Sequence, residues 1–320
     1  MNILVTGAAG FIGKHFVYHA SNFLTQAQLV CVDKLTYAAD PKTVQFLKKK
    51  QIPFYSYDIN DSLALSHHIV YHNIDLIVNF AAETHVDNSI NDVTPFIETN
   101  IFGVNSILEA VKKTNTKLLH ISTDEVYGPA SETHFIEEDK LQPKNPYAAT
   151  KASAELLINA HENTYATKSW ILRPTNNFGE RQNTEKFIPK YIDCYKSKKP
   201  FPVYGNGQQK REWLYVKDTA KIIFEVCNLI TNNVEVPSIL NIGSPNSSFT
   251  NMEMCKNLFG KLNPEGSLDD FLKTINFVND RPGHDVKYAI NSDKLSTLMP
   301  KLSFTSLDNA LNSIITSAIT

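Results

Sequence analysis

A glycine-rich turn near the N-terminus constrains the fold of this chain more strongly than any other feature. The apolar run Ile3–Thr6 precedes the turn, and a helical pattern begins at Phe11. In such a strand–turn–helix unit, Gly7 can form the tight turn, Gly10 allows backbone to approach a pyrophosphate, and Gly13 allows helix and strand to pack closely. The first turn of the helix also offers free N–H groups and a partial positive charge to phosphates. The pattern predicts a βαβ unit that binds a dinucleotide.

An acidic residue at the end of the second predicted strand indicates which dinucleotide. Asp33 lies 20 positions after Gly13 (33 − 13). A carboxylate there accepts hydrogen bonds from the adenosine ribose and repels a 2′-phosphate, which favours NAD over NADP. Lys34, directly after Asp33, is a cation and argues against this preference for NAD over NADP. Asp58 and Ile59 follow the third strand signal, where Asp58 is either an adenine contact or a helix N-cap.

The first half of the chain alternates short apolar runs with helical patterns. The runs are rich in Val, Ile and Leu and lack polar alternation, which is typical of buried parallel strands. The predicted strands are Ile3–Thr6, Gln28–Val32, Leu76–Phe80, Leu118–Ser122 and Ser169–Arg173. The predicted helices between them include Phe11–Ser21, Asp61–Asn73 and Thr99–Lys113. This order predicts an α/β fold with a Rossmann-type, doubly wound parallel sheet.

The second half is less regular and predicts a smaller C-terminal α/β domain that binds substrate. We expect residues 1–172 to form the dinucleotide-binding domain, with a returning segment at about 213–241. Residues 173–212 and 242–320 are expected to form the smaller domain, which would close over the carboxyl edge of the sheet.

Composition excludes several classes of function. The formal net charge is −2, which gives no reason to expect a nucleic-acid or membrane partner. The four cysteines form no CxxC pair, so neither a disulfide framework nor a metal site is expected. No apolar run reaches the length of a membrane span, and no signal-like segment precedes the first predicted strand. These features predict a cytoplasmic protein.

A tyrosine and a lysine form a YxxxK pair at the start of a predicted helix. The four-residue spacing places Tyr147 and Lys151 on one helix face, with Cβ atoms roughly 5–6 Å apart. A neighbouring ammonium lowers the pKa of a phenol, so Tyr147 could remove a hydroxyl proton while hydride passes to NAD. The same spacing also occurs as a surface pair, and its position downstream of a dinucleotide turn favours the catalytic interpretation.

Three polar residues follow the predicted strand Leu118–Ser122. Thr123 can hydrogen-bond a substrate hydroxyl, and Asp124 and Glu125 are adjacent acids. Two carboxyls in different environments can differ in pKa, so that one acts as an acid and the other as a base. An acid-capped loop is the simpler alternative, but it does not explain why the acids fall at the sheet edge that binds ligands.

Motifs along nearly the whole chain resemble one family, the dTDP-glucose 4,6-dehydratases of the extended short-chain dehydrogenase/reductases. Besides Thr6–Gly13, the Ser122–Gly128 segment and Tyr147–Lys151, the matching segments are Asp33–Ala38, Ala81–Asp87, Thr99–Ile101, Asn176–Asn177, Glu185–Pro189, Pro202–Gly205, Arg211–Val216 and Asp280–Asp285. The Thr-Asp-Glu triplet is the most specific of these segments, since sugar epimerases of the superfamily usually lack the acid pair.

The resemblance implies a reaction in three steps with bound NAD. Tyr147, helped by Lys151 and Thr123, would oxidise carbon 4 of the glucose. Glu125 would then remove the proton on carbon 5 while Asp124 protonates the departing hydroxyl of carbon 6, and hydride would return to carbon 6. The net reaction is loss of water, and the product belongs to deoxysugar biosynthesis, such as that of rhamnose or O-antigen.

The resemblance also implies two sets of binding residues. The NAD-binding set is Gly7, Gly10, Phe11, Ile12, Gly13, Asp33, Lys34, Leu35, Thr36, Asp58, Ile59, Ala81, Ala82, Thr99, Ser122, Tyr147, Lys151 and Asn177. The substrate-binding set is His85, Thr123, Asn176, Lys186, Phe187, Pro202, Val203, Tyr204, Arg211, Asn246, Arg281 and His284. Within the second set, Arg211 and Arg281 would pair with the diphosphate. A homodimer through a four-helix bundle is also implied, with Thr99–Lys113 and Tyr147–Asn163 as the helices, although their apolar stripes could equally be core.

The chain departs from the family pattern at three places. Ala8 replaces a more usual glycine, Ile171–Asn176 is closer to the sugar-epimerase branch, and Gly179–Thr184 replaces a proline-rich stretch. These departures leave the nucleotide base and the hexose open. A UDP-sugar 4,6-dehydratase, a nucleotide-sugar epimerase or decarboxylase, and a non-catalytic NAD-binding regulator are the alternatives.

Overall fold

A computed structural model of the chain describes residues 1–130, 133–280 and 287–319. The first half contains β1 (Ile3–Thr6), α1 (Phe11–Ala20), β2 (Leu29–Val32), α2 (Pro41–Lys49), β3 (Phe54–Tyr55), α3 (Ser62–Tyr71), β4 (Leu76–Asn79), α4 (Val86–Asn91), α5 (Thr94–Phe96), α6 (Gly103–Thr114), β5 (Lys117–Ile121), α7 (Pro146–Tyr165) and β6 (Ser169–Pro174). The second half contains β7 (Asn176–Phe178), α8 (Phe187–Lys196), β8 (Phe201–Tyr204), β9 (Lys210–Tyr215), α9 (Val216–Thr231), β10 (Ile239–Ile242), β11 (Ser248–Thr250), α10 (Asn251–Leu262), α11 (Leu268–Lys273), β12 (Ile275–Val278), α12 (Asp293–Leu298) and α13 (Leu307–Ile319).

The main sheet has seven strands in the order β10-β6-β5-β4-β1-β2-β3. Every neighbouring pair is parallel, and Ile3 of β1 stands opposite Leu29 on one side and Leu76 on the other. All four residues of β1, β2 and β4 are buried, as the unbroken apolar runs require. The five predicted strands are present within one residue at each end, and the doubly wound α/β class is confirmed.

The predicted helix Thr99–Lys113 differs in form. A π-helical turn, Ile97–Phe102, precedes α6. Asn100 in this turn accepts a hydrogen bond from the Glu83 N–H at 2.9 Å and donates to the Glu83 carbonyl at 3.0 Å. Its side chain also donates to Thr150 Oγ1 of α7 at 2.9 Å. The wide turn thus ties the loop after β4 to α7, contacts that helical periodicity alone does not reveal.

A second hydrophobic core lies beside two small sheets, β11-β9-β7 and β12-β8. Its buried side chains come from α8, α10, α13 and the small strands, among them Phe178, Tyr191, Phe201, Met254 and Leu311. Trp213–Tyr215 belongs to β9 of this small sheet, whereas α9 packs against α1 and β10 enters the main sheet. Leu214 of β9 is buried in the first core, whereas its neighbours Trp213 and Tyr215 are buried in the second.

Two features are absent from the described ranges, a membrane-spanning helix and a metal-ligand cluster. No helix there is long and apolar enough to cross a membrane. No group of three or more His, Cys, Asp or Glu side chains in the same ranges is arranged to hold a metal ion. The four cysteines are free thiols, and Cys31, Cys227 and Cys255 are buried.

Candidate active site

A cleft opens at the carboxyl edge of the main sheet, where the strand order reverses between β1 and β4. Doubly wound folds bind ligands at this position. The side chains and backbone that line the cleft are those of Gly7, Gly10, Asp33, Lys34, Thr36, Ala38, Ala39, Tyr57, Asp58, Ile59, Phe80, Ala81, Ala82, Glu83 and Thr99.

The glycine turn is shaped by close backbone packing. Gly7 has φ +67°, and a Cβ on it would lie 2.5 Å from the amide nitrogen of Ala81. A Cβ on Gly13 would lie 2.2 Å from the carbonyl oxygen of Gly7. Gly10 is the N-cap of α1 and provides no side-chain cap, which leaves the first-turn N–H groups available. These features fit the pyrophosphate of a dinucleotide.

Asp33 is buried at the end of β2 and is held by backbone donors. Its carboxylate accepts hydrogen bonds from the amides of Ala9 at 2.8 Å and Leu35 at 2.7 Å. Burial raises its pKa, while these amides oppose the rise. A fixed acid at this point suits a ribose with free hydroxyls.

Asp58 does not cap a helix. Asp61 is the N-cap of α3 and accepts from the amide of Ala64 at 2.9 Å. Asp58 instead forms a 2.7 Å ion pair with Lys34 and accepts from the amide of Asn60. The N-cap interpretation of Asp58 is therefore wrong, and the ion pair turns Lys34 toward Asp58 within the cleft wall.

Tyr147 lies in the first turn of α7. Asn145 caps this helix by accepting from the amide of Ala148 at 2.8 Å, and Pro146 occupies the first helical position. Tyr147 is 7% exposed. Burial raises the pKa of its phenol, Glu125 and Asp124 add to the rise, and a hydrogen bond with Thr123 opposes it. The expected lowering of the Tyr147 pKa by Lys151 is not found, because desolvation and the two acids dominate.

Lys151 is 2% exposed and points its amine at strand β5. Its Nζ donates to the carbonyl of Ile121 at 2.7 Å and lies 3.2 Å from Nε2 of His120. Burial lowers the pKa of Lys151 to about 8, with the charge of Glu155 opposing the fall. The lysine therefore titrates close to neutral pH.

The three polar residues after β5 form the start of a short 3₁₀ turn, Asp124–Tyr127. Thr123 Oγ1 caps this turn by accepting from the amide of Glu125 at 3.3 Å. Asp124 is 2% exposed, and its Oδ2 has no hydrogen-bond partner among the described residues. Burial raises the pKa of Asp124 well above its ordinary value, and Glu125 and Glu212 raise it further. Burial thus favours the protonated form of Asp124.

Glu125 has a different environment, although it is the next residue. It is half-buried, and its Oε2 accepts from Asn145 Nδ2 at 3.1 Å and from the phenol of Tyr288 at 3.3 Å. Both neighbours act as donors, which holds this oxygen as an acceptor. The two adjacent carboxyls beside Tyr147 thus lie in different environments.

Two residues of the expected cofactor set have side chains engaged within the protein. Ser122 Oγ donates to Glu155, which also binds the guanidinium of Arg173. Asn177 donates to the carbonyl of Thr175 at 3.0 Å and accepts from Thr219 Oγ1.

The expected substrate residues lie on loops and strands around this edge. Asn176 has a buried amide nitrogen with no partner in the described ranges, which makes it a donor available to a ligand. Lys186 Nζ donates to the carbonyl of Thr84 at 3.1 Å. The Arg211 guanidinium stacks 4.6 Å from the ring centroid of Tyr288 and donates to the carbonyl of Lys210.

Other expected substrate residues have structural contacts. Val203 is buried in the second core, so its side chain is not available to substrate. Phe187 packs edge-on against Phe201. His85 caps α4 by accepting from the amide of Asn88.

Three further expected residues lie at the margins of the site. Tyr204 OH donates to Asp87 at 3.5 Å, and Pro202 is half-buried in β8. Asn246 has φ +54° and lines a separate cavity of about 460 Å³ beside Trp213 and Phe304. Arg281 and His284 lie outside the described residues.

Several residues at the site were not predicted as functional. His120 could have been suspected, because a histidine inside an apolar strand needs a buried polar partner. Asn145, Glu83 and Glu212 lie beside predicted motifs, but the sequence does not show which way they face. No feature of the sequence marks Tyr288, because only folding brings it into contact with Glu125.

Comparisons with known proteins are consistent with this geometry. The family model described as GDP-mannose 4,6 dehydratase matches residues 4–307. The chain is 38% identical over 322 residues to a dTDP-glucose 4,6-dehydratase of Escherichia coli, covering 92% of this chain and 87% of that protein. It is 37% identical over 306 residues to the trifunctional UDP-glucose 4,6-dehydratase/UDP-4-keto-6-deoxy-D-glucose 3,5-epimerase/UDP-4-keto-L-rhamnose-reductase RHM2 of Arabidopsis thaliana, covering 93% of this chain and 44% of that protein. A crystal structure of dTDP-glucose 4,6-dehydratase from Bacillus anthracis in complex with NAD superposes with a TM-score of 0.86 at 33% identity, covering 100% of this chain and 96% of that one.

Proposed function

This chain belongs to the dTDP-glucose 4,6-dehydratase family, and from that premise we propose that it converts dTDP-glucose to dTDP-4-keto-6-deoxyglucose and water with tightly bound NAD. The reaction is that of a hydro-lyase. The observation that carries the proposal is the buried Asp124, whose pKa burial raises well above its ordinary value, beside the hydrogen-bonded Glu125 and close to Tyr147. An epimerase needs a tyrosine and a lysine but has no use for such an acid pair.

NAD supplies a reversible two-electron oxidation when it is bound. The residues that would hold it are the glycine turn, Asp33 and the lining of the cleft between β1 and β4. Both the close backbone packing at Gly7 and the uncapped N-terminus of α1 support this assignment.

Tyr147 is the base for the hydroxyl on carbon 4. Its phenol contacts Thr123, whose hydroxyl can hold the same sugar oxygen. Because burial and two acids raise the pKa of Tyr147, it needs a compensating positive charge to act as a phenolate. Lys151, one turn along the same helix, supplies that charge when it is protonated.

Glu125 and Asp124 divide the dehydration between them. Glu125 accepts the proton from carbon 5, which a ketone at carbon 4 acidifies. Asp124 gives its proton to the hydroxyl that leaves carbon 6, so that one proton and one hydroxide depart as water. The buried position of Asp124 keeps its proton in place until then.

The nucleotide diphosphate requires cations and donors from the second half of the chain. We assign Arg211 and Lys186 to the phosphate oxygens and the unpartnered amide of Asn176 to the sugar. Residues 173–212 and 242–320 would carry most of this site, and residues 1–172 with 213–241 the cofactor.

The test is incubation of the purified protein with dTDP-glucose and detection of the 4-keto product by its absorbance in alkali. Glu125→Gln should block dehydration, yet reduced cofactor should accumulate because oxidation at carbon 4 comes first. Glu235→Gln, at an exposed position, serves as the matched control and should keep full activity. The absence of product with dTDP-, UDP- and CDP-glucose would refute the proposal.

UDP-glucose is the second candidate substrate. The similarity to RHM2 over 93% of this chain favours it, as do the departures from the family pattern at Gly179–Thr184. Comparison of kcat/KM for dTDP-glucose and UDP-glucose in one preparation decides between the two. The 6-deoxy-4-keto product of either would supply deoxysugar synthesis, such as that of rhamnose or O-antigen sugars.

A homodimer through α6 and α7 is part of the proposal. Val104, Leu108 and Val111 pack into the chain's own core, so they are not available to a partner. Phe102 and Leu156 are 57% and 62% exposed on these two helical segments and offer an apolar contact instead. Light scattering should give twice the chain mass, and Leu156→Glu should reduce it to one.

A further inference from the structure

A chain of buried polar side chains connects the glycine turn to Lys151. Thr6 Oγ1 donates to Asn79 Oδ1 at 2.6 Å, and Asn79 Nδ2 lies 3.0 Å from Nδ1 of His120. The opposite ring nitrogen, Nε2, lies 3.2 Å from Lys151 Nζ. All four residues are at most 2% exposed, so the chain is shielded from bulk solvent.

The orientation of the Asn79 amide follows from a backbone donor. The amide nitrogen of Ala81 lies 3.2 Å from Asn79 Oδ1 and can only donate. The oxygen of Asn79 must therefore face Ala81, and its NH₂ group must face His120. Since an NH₂ group only donates, Nδ1 of His120 must accept and carries no proton.

This contact determines the tautomer of His120. A neutral imidazole without a proton on Nδ1 has its proton on Nε2. An imidazolium would place two donors against each other at Asn79, and burial lowers the pKa of His120 well below its ordinary value. The Nε2–H bond therefore points at the amine of Lys151.

An ammonium at Lys151 would meet this N–H as a second donor. A neutral amine accepts from Nε2–H with its lone pair and still donates to the carbonyl of Ile121. We propose that His120 is a positioning residue, with its tautomer set by Asn79, that stabilises the neutral amine form of Lys151 in the substrate-free protein. The proposal rests on the proposed function, because Lys151 matters to it as the partner of Tyr147.

The charged and titratable neighbours do not override this contact. Glu155 on the same helix attracts an ammonium, but its carboxylate is bound by Arg173 of β6 and by Ser122. Tyr147 lies one turn earlier on α7, and Asp124 and Glu125 lie on the turn that packs against that helix. Burial lowers the pKa of Lys151 in the same direction as the His120 contact.

Above the midpoint of the Lys151 titration, the resting pair is a phenol and a neutral amine. A phenol with a neutral amine contains as many protons as a phenolate with an ammonium. Transfer of the Tyr147 proton to Lys151 thus forms the base without any exchange with solvent. This suits a site whose tyrosine is 7% exposed.

The test is NMR on the substrate-free protein with ¹⁵N-labelled histidine and ¹³C-labelled lysine. His120 should be neutral with its proton on Nε2, and Lys151 should titrate near pH 8. In Asn79→Asp, the carboxylate should draw the proton to Nδ1, free Nε2 to accept, and raise the Lys151 midpoint by more than about one pH unit. Thr6→Val is the matched control, because Ala81 still orients Asn79, and it should change neither signal.

Three results would overturn the proposal. They are a proton on Nδ1 of His120 in the unaltered protein, a Lys151 midpoint near the ordinary value of about 10.4, and a midpoint in Asn79→Asp that rises without the change of tautomer. Since no substrate is present, failure to find dehydratase activity leaves these readings intact, and the two proposals fail separately.

Discussion

The phenol of Tyr288 donates to Oε2 of Glu125 at 3.3 Å, joining residues that are 163 positions apart in the chain. The same ring stacks under the guanidinium of Arg211. Tyr288 thus connects the dehydration base with a residue assigned to the substrate phosphate.

Tyr288→Phe should impair dehydration without affecting the fold. The phenylalanine ring keeps the stacking on Arg211 but removes the donor that orients Glu125. A hydrogen bond to a charged group is worth about 1.5–3 kcal/mol, so kcat should fall roughly 10- to 100-fold. Steady-state kinetics measures this, with Tyr165→Phe at a half-exposed position on α7 as control. An unchanged kcat in Tyr288→Phe would show that Asn145 alone orients Glu125.

Asp124→Asn should separate activity from stability. The amide cannot give up a proton, so kcat should fall by about 10²- to 10⁴-fold. Because the folded-state pKa of Asp124 is raised, its stabilising contribution is complete at acid pH and is lost as pH rises through that pKa. Asn removes the cost of ionising a buried group, so the variant should be at least as stable as the parent in alkali. Thermal unfolding measured in acid and in alkali tests the sign, and a loss of stability confined to alkali would contradict it.

Glu212 should make stability depend on pH between about 4.5 and about 7. Burial raises its pKa from 4.5 to about 7, although the amide of Ile290 and the charge of Lys287 oppose the rise. Between these pH values the folded protein binds more protons than the unfolded chain. The free energy of unfolding therefore falls as the pH rises, and Glu212 contributes at most about 1.4 kcal/mol per pH unit to this fall. Glu212→Gln should flatten that part of the profile in denaturant titrations. Profiles of equal slope for both proteins would exclude the shift.

Gly13→Ala should destabilise the protein, because its new Cβ would lie 2.2 Å from the Gly7 carbonyl oxygen, which belongs to the backbone and cannot move away cheaply. We expect a loss of more than about 2 kcal/mol in the free energy of unfolding. Gly260→Ala is the matched control within α10. No atom lies within 4 Å of its added Cβ, and it should gain about 0.5–1 kcal/mol from helix propensity. Equal stability of the two variants would show that the turn relaxes.

Much of the fold could be predicted because its signals are local. The strands of the main sheet are unbroken apolar runs, and Gly7, Gly10 and Gly13 mark where one strand turns into a helix. The small sheets were less predictable, because β7 and β11 have only three residues each and pair with β9 across long connections. The π-helical turn at Ile97–Phe102 has the same apolar periodicity as an ordinary helix over so short a length.

The candidate site likewise has local features that the sequence predicts and tertiary features that it does not. Tyr147 with Lys151, and Thr123 with Asp124 and Glu125, are motifs contained in short stretches of chain, and the family resemblance gave them roles. The protonation states were not predictable. A pKa depends on burial and on neighbours that other strands and helices bring close, which is why the expected effect of Lys151 on Tyr147 was not found.

The sequence by itself determined the doubly wound sheet and the dinucleotide turn and supplied the side chains that we propose to react, since each depends on residue type and spacing along a short stretch of chain. Only the tertiary structure decided that burial raises the pKa of Asp124, that Tyr288 donates to Glu125 and that His120 lies between Asn79 and Lys151. Desolvation and hydrogen-bond direction act between groups distant in sequence, and these groups become neighbours only when the chain folds.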